Sequence, residues 1–300
     1  MNILITGGTG LLGRSLCKAL RNRGHQLWVL SRRPERVKAL CGADTGVLAS
    51  LRDYSADQHF DAIINLAGAP IIDLPWSNSR KATLRRSRIG LTDALVSAIA
   101  RAHSKPKLLL SGSAVGVYGD AGERPCPDTV KFPLQDDFGS RLCADWEAAA
   151  SKASGSGVRV CHLRTGLVLA PEGGLLARMK WPFRLGLGGA LGQGSQWMSW
   201  IHIDDWVAAV CFLLDTPGLE GPFNLTAPEP VRNADFSTSL ASTFGRRACL
   251  PQPAWLLKAA LGQRAYLLLG GQNAPPERLI QAGFRFAQPA LDAALANACR

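Results

Sequence analysis

The chain has 300 residues, 47% of them hydrophobic and 19% charged, with a mean hydropathy of +0.04, a balance that excludes a disordered or low-complexity protein. Its net charge of +11 suggests nucleic acid, but apart from residues 32–36 and 80–88 the basic residues are scattered and no aromatic-studded sheet or recognition helix accompanies them, so anionic nucleotides and acidic small molecules are the expected partners and nucleic acid is not. No stretch approaches the about 18 apolar residues of a membrane span, Met1 leads into a strand without a signal peptide, and the eight cysteines form no CxxC pair or zinc-type spacing, so a cytoplasmic chain with reduced thiols, no metal and no membrane is expected.

In chain order, residues 2–5 are apolar and β-branched enough for a central parallel strand, and they run into Thr6-Gly7-Gly8-Thr9-Gly10-Leu11-Leu12-Gly13. The glycines stand where a Cβ would obstruct a bound dinucleotide. Gly7 permits the tight turn, Gly10 lets main chain approach the pyrophosphate, and Gly13 lets helix lie on sheet. The helix over 11–20 would offer its free N–H groups to the phosphates. Gly24 stands where a left-handed C-cap is expected, and residues 26–30 read as a second strand.

Further strands are expected at 47–49, 61–66, 107–110 and 158–163, and long helices at 81–102 and 140–153. This alternation predicts an α/β fold, a Rossmann-type doubly wound parallel sheet over residues 1–170, with later segments able to return to it. Residues 113–131, rich in Gly and Pro, form a loop at a strand's carboxyl end, where such sheets place ligands. Residues 171–300 read as a smaller α+β substrate lobe, with a helical tail over 251–300 broken at Gly270-Gly271 and Pro275-Pro276.

NAD-binding sheets of this kind end the second strand in an acid; here Ser31-Arg32-Arg33 stand there instead. Guanidinium groups can grip a 2′-phosphate that an acid would repel, which points to NADP(H), unless the two arginines are only solvated charges at a helix start.

These features resemble the extended and atypical short-chain dehydrogenases/reductases related to nucleotide-sugar epimerases. The resemblance spans nearly the whole chain and rests on residues 6–13, Asn65-Leu66-Ala67-Gly68, Ser111 to Gly119, Arg164-Thr165-Gly166 and Trp200 to Asp205. Ser87-Arg88, residues 142–147 and the tail GQNAPPERLIQAGFRF are similar to the YfcH-type epimerase family proteins. The resemblance implies that Gly7, Thr9, Gly10, Leu11, Leu12 and Gly13 line the pyrophosphate and that Ser31, Arg32 and Arg33 take the 2′-phosphate. It also implies that Leu66, Ala67 and Gly68 follow the adenosine ribose, that Ser111 and Ser113 approach the nicotinamide, and that Arg164, Thr165, Gly166 and Leu167 flank its other side. Pairing of two copies through the long helices is implied by the resemblance alone.

The family's catalytic pair is a Tyr and a Lys in Y-x-x-x-K spacing, but the residues four beyond Tyr54, Tyr118 and Tyr266 are Gln58, Gly122 and Gly270. Aligning Glu147 with the acid that follows the family's motif puts Gly139 in the tyrosine slot and Cys143 in the lysine slot. Ser113 would still orient a carbonyl, and Tyr118, otherwise a pocket-lining residue, is the candidate replacement acid. Asp204 is expected to N-cap a helix behind His202. Trp76, Met179, Trp181, Phe183, Gln193, Trp197, Met198 and Trp200 would wall the substrate or pack the lobes. Arg88 would bind an anionic substrate or pair with the loop around Asp120 and Glu123. The reading is an epimerase-like NADP(H)-dependent oxidoreductase acting on a small molecule, anionic or aromatic; the alternative is a non-catalytic NADP(H)-binding sensor or protein-interaction regulator.

Overall fold

The computed structural model describes residues 1–299. Its first half alternates strand and helix: β1 (Asn2–Thr6), α1 (Leu11–Asn22), β2 (Gln26–Leu30), α2 (Val37–Cys41), β3 (Gly46–Leu48), β4 (Ala62–Asn65), α3 (Asn78–Arg85), α4 (Leu91–Arg101), β5 (Leu108–Ala114), α5 (Phe138–Ser151) and β6 (Arg159–Thr165). The helix expected over 81–102 is divided: a π-helical turn, Arg86–Gly90, separates α3 from α4. Strand β5 runs four residues beyond the expected 107–110, because ladder bonds to β6 continue through Ala114 and draw Ser111 and Ser113 into the sheet.

The second half contributes β7 (Leu167–Leu169), α6 (Gly174–Arg184), β8 (Trp197–Met198), β9 (Trp200–His202), α7 (Ile203–Asp215), β10 (Gly221–Leu225), β11 (Val231–Arg232), α8 (Asn233–Thr243), α9 (Ala254–Leu261), α10 (Tyr266–Leu269), α11 (Glu277–Gln281) and α12 (Leu291–Ala298). The main sheet has the order β10-β6-β5-β4-β1-β2-β3, every pair parallel. Residues beyond 170 therefore complete it, and α7 packs on α1. The winding reverses between β1 and β4, and ligands of such sheets lie in the crevice at that switch point.

Alternate residues of one strand feed opposite layers. Ile3, Ile5, Ile64, Leu108 and Leu110 join the layer of α1 and α7, whereas Leu4, Ile63 and Leu109 join that of α4 and α5. Each such fully buried side chain contributes about 1.5–3 kcal/mol. A separate core of Leu169, Leu176, Phe183, Trp200, Phe236 and Leu295 holds the second lobe. The tail is stitched to the main sheet and α7: Asp205 accepts from the Ala287 and Gln288 N–H groups at 2.7 and 2.9 Å, and Arg278 lies over Phe223 and donates to Pro222 and Glu220 carbonyls.

One cap differs from expectation. His202 itself caps α7, its Nδ1 accepting from the Asp204 N–H at 3.2 Å, while Asp204 lies inside the helix with its side chain 73% exposed. The imidazole is nearest the free N–H because it lies one residue before the helix starts. Among the described residues no helix is long and apolar enough to cross a membrane.

Candidate functional site

At the end of β1 the main chain folds tightly on itself. Gly7 has φ 73°, and a Cβ there would lie 2.8 Å from the Leu66 carbonyl; a Cβ on Gly13 would lie 2.3 Å from the Gly7 oxygen. Gly10, exposed and extended, donates to the Gly7 carbonyl at 3.0 Å and caps α1 without a side chain. No acidic residue occupies the first turn, so the N–H groups of Leu11, Leu12 and Gly13 and the positive helix end are left for an anion. Thr9 is half-buried beside them. A cavity of about 570 Å³ adjoins, lined by Leu11, Arg14, Lys18, Cys41 and Glu172.

Across the switch point, the Leu66 N–H donates to the Thr6 carbonyl at 3.1 Å and the Ala67 N–H to Thr6 Oγ1 at 3.2 Å. Beyond β2, Ser31 Oγ accepts from the Arg33 N–H at 3.1 Å, and both Arg32 and Arg33 are exposed. Among the described residues neither pairs with a carboxylate.

Beneath the crevice is a buried polar network. Thr6 Oγ1 donates to Asn65 Oδ1 at 2.7 Å; Asn65 Nδ2 donates to Thr92 Oγ1 at 2.8 Å and to Ser111 Oγ at 3.3 Å; Trp146 Nε1 donates to Thr92 Oγ1 at 3.0 Å. Ser111 is fully buried in it, its hydroxyl oxygen accepting from Asn65 Nδ2.

Ser113 belongs to a second network. Its hydroxyl donates to Glu147 Oε1 at 2.7 Å, and Glu147 also takes Arg164 Nε and Nη2, both at 2.8 Å, in a bidentate pair whose side chains are each 13% exposed. Burial opposes ionisation of Glu147, but the Arg164 guanidinium, with His162 and Ser113, outweighs it and holds the carboxyl below its ordinary value. The Arg164 guanidinium thus gives its Nε and one Nη2 hydrogen to Glu147. Thr165 Oγ1 bonds Trp206 Nε1, Gly166 lies against the Ser199 carbonyl, and Leu167 is in β7.

Tyr118, the candidate replacement acid, joins this network. It is fully buried, donates to Asn224 Oδ1 at 2.8 Å and accepts from Arg164 Nη1 at 2.9 Å. Burial pushes the phenol up to about 12 despite the neighbouring arginine, and its proton is engaged by Asn224. A cavity of about 790 Å³ on this outer side of α5 is lined by Glu147, His162, Arg164, Asp128 and Lys131 as well as Tyr118.

Gly139 and Cys143 of α5 are covered from another segment. The Trp76 ring stands 4.0 Å from where a Cβ on Gly139 would be, edge-on to Phe138 at 5.0 Å between centroids. Arg88, on the π-helical turn, lies over the Trp146 ring at 5.3 Å and within 2.9 Å of a Cβ built on Gly68. Burial lowers the Arg88 guanidinium from its ordinary value, Cys143 counteracts this and Arg80 adds to it. Burial pushes the Cys143 thiol up to about 12, with Glu147 adding and Arg88 opposing, so it stays a thiol. Ser87 and Arg88 clamp the main chain of one residue: Ser87 Oγ accepts from the Ala69 N–H and Arg88 Nη1 donates to the Ala69 carbonyl, both at 3.0 Å. The π turn makes this reach, since an extra residue re-aims two successive side chains toward the loop.

Arg88 does not pair with Asp120 or Glu123; Glu123 binds Arg232, and Asp120 takes the Gly271 N–H at 3.1 Å. Of the expected aromatic wall only Trp76 is placed at this corner. Trp200 and Phe183 are core, Trp197 stacks with Arg232 at 3.8 Å, and Trp181 is 66% exposed on α6. The tail braces the corner through Arg264, which donates to the Ile72 carbonyl at 2.7 Å, and Tyr266, whose hydroxyl bonds the α5 cap Asp137 at 3.1 Å. Glu147 as anchor of Ser113 was not legible, because its role depends on β6 lying beside β5.

Comparison with known proteins bears on this geometry. The pattern of the NAD dependent epimerase/dehydratase family matches residues 3–225, and that of a domain of unknown function, DUF1731, matches residues 252–298. The chain is 40% identical over 299 residues to epimerase family protein MT2273 of Mycobacterium tuberculosis, covering 99% of this chain and 97% of that one. It is 34% identical to epimerase family protein YfhF of Bacillus subtilis, covering 99% and 97%. Human epimerase family protein SDR39U1, crystallised with NADPH, superposes with a TM-score of 0.90 at 33% identity, over 100% of this chain and 99% of that one. UDP-glucose 4-epimerase of Thermotoga maritima shares the fold at a TM-score of 0.79 and 17% identity, covering 98% and 97%. With its switch-point crevice and glycine turn, the chain belongs to the NAD dependent epimerase/dehydratase family.

Proposed function

We propose that the chain binds NADP(H) and is an oxidoreductase on a carbonyl or carbinol compound, without the Tyr-x-x-x-Lys pair. The observation that carries it is the open N-terminal end of α1 beside two exposed arginines that no carboxylate neutralises. The NADPH in the crystals of SDR39U1, 33% identical, supports the same reading. A reduced nicotinamide bound in the crevice supplies a hydride to a carbonyl carbon. The residues here bind and orient: Gly7, Gly10 and Gly13 admit the pyrophosphate, Arg32 and Arg33 hold the 2′-phosphate, and Gly68 passes the ribose. Ser113, its proton donated to Glu147, offers lone pairs to a donor group of the ligand. Without a positioned acid such a reaction runs about a hundred- to ten-thousand-fold slower.

The second reading, a non-catalytic NADP(H) sensor, is favoured by the sealed hydroxyl of Tyr118 and the committed proton of Ser113. Purified protein with NADPH and a panel of quinones, aldehydes and ketones separates the two. Turnover that Ser113→Ala removes supports the oxidoreductase; tight NADPH binding with no turnover on any panel member supports the sensor. NADPH binding no tighter than NADH would overturn both.

A further inference from the structure

The corner covered by Trp76 and Arg88 holds two half-buried arginines that no acid among the described residues neutralises. Arg88 has one hydrogen-bonded acceptor, the Ala69 carbonyl at 3.0 Å. Arg80 donates to the Pro70 carbonyl, the next along the chain from the one Arg88 takes, so the two guanidinium groups lie at successive carbonyls, and the Nε of Arg80 is buried without a partner among the described residues. The nearby carboxylates are committed elsewhere: Asp73 to Arg178 at 2.6 Å, Asp145 to Arg85 at 2.7 Å and Asp93 to Lys152 at 2.7 Å. Asp137 caps α5 through the Ser140 N–H at 2.9 Å.

Two neighbouring cations withdrawn from water are unfavourable by desolvation and by mutual repulsion, and an anion placed between them reverses both. Their position gives the anion a role. Arg88 covers Gly68, its charge acts at Cys143 in the lysine slot, and Trp76 shuts the tyrosine slot at Gly139. A charge on the π-helical turn, brought in from the neighbouring segment, stands where the family's charge would come from α5.

We propose that Arg88 and Arg80 form an oxyanion-binding site at this corner, so that the chain fixes its ligand there by a negative charge and not by a tyrosine hydroxyl. The planar guanidinium of Arg88 presents a two-pronged donor edge suited to a carboxylate or phosphate. The oxyanion belongs either to the second ligand or to the cofactor. The site's location at the nicotinamide end rests on the cofactor reading above; its charge does not.

The test uses the full chain, with benzoylformate and inorganic phosphate as anionic probes and benzoylformamide as the neutral counterpart. Binding is read by thermal shift and titration, with and without NADPH. Wild type is expected to bind benzoylformate at least about tenfold more tightly than the amide. Arg88→Met abolishes that preference, Arg80→Met weakens it, and Arg88→Lys keeps part of it. If Arg88→Met instead weakens NADPH by about tenfold or more while Arg88→Lys restores part of the affinity, the oxyanion is the cofactor's.

An arginine serving only to clamp Ala69 would lower the melting temperature without altering any anion preference. No anion preference in wild type together with unchanged NADPH affinity in Arg88→Met overturns the proposal. So does an anion preference that survives in both arginine variants. Should Arg88→Met fail to fold, Arg80→Met and Arg88→Lys carry the same comparison. Arg88-dependent anion binding in a chain that ignores NADPH would sink the cofactor reading and leave this one standing; NADPH binding with no arginine-dependent anion effect does the reverse.

Discussion

The two ends of the crevice are built on different principles. At the α1 end the walls are main chain: a left-handed Gly7, a Gly13 pressed on the Gly7 carbonyl, and an uncapped row of N–H groups. At the β5 and α5 end they are side chains drawn from distant segments, with Trp76 and Arg88 beside Gly139 and Cys143, and Glu147 and Arg164 beneath Ser113. Main-chain recognition needs particular residues in fixed order, because one added Cβ blocks it. Side-chain recognition needs only a suitable group at a place in space, so another segment can furnish it.

Substitutions at the two ends test that contrast. The largest effect is expected at the side-chain end: Glu147→Ala leaves the Arg164 guanidinium without its acid and should destabilise the fold by about 3–5 kcal/mol in urea titrations. The sign with pH is fixed by the lowered Glu147 value. Its contribution is complete above the unfolded glutamate value of about 4.3 and is lost as pH falls through the lower folded one. The gap between wild type and Glu147→Gln should therefore close in acid; a gap that widens would mean the pair is not what stabilises α5 on β6.

At the main-chain end, Gly13→Ala forces a Cβ into the Gly7 carbonyl and should lose about 3 kcal/mol together with NADPH binding. Normal binding in that variant would break the comparison, since main chain would then have yielded as a side chain does. Replacing Arg32 and Arg33 together by alanine should weaken NADPH about 100-fold relative to NADH in a binding titration. Equal losses would remove the 2′-phosphate assignment.

The smallest effect is expected at Tyr118→Phe, where Arg164 and Asn224 each lose a partner, about 1 kcal/mol, with NADPH affinity and any turnover unchanged. A tenfold fall in kcat on an accepted carbonyl would return the phenol to a catalytic role.

The sequence carried the first strands and the glycine turn well, because both are local. Strand 26–30 is present as read, and the strand-turn-helix over 2–20 differs only at its ends. The division of the long helix was not legible, since the π turn at Arg86–Gly90 arises where Ser87 and Arg88 bond the main chain of Ala69, 18 and 19 residues earlier. Ser113 and Tyr118 could be found as residue types, yet their proton partners come from α5, β6 and β10, and only pairing of those elements turns both hydroxyls inward.

By itself, then, the order of residues determined that a glycine turn opens onto a free helix end and that no Y-x-x-x-K exists to act beyond it. Both are properties of neighbours along the chain, where a missing Cβ or a one-turn spacing acts directly. The tertiary structure decided which groups cover Gly139 and Cys143, which carboxylate holds Ser113, and that Arg80 and Arg88 bond successive carbonyls with no acid beside them among the described residues. Those outcomes depend on charges and rings brought together from α3, α5 and β6, and their energies exist only once the sheet has closed around them.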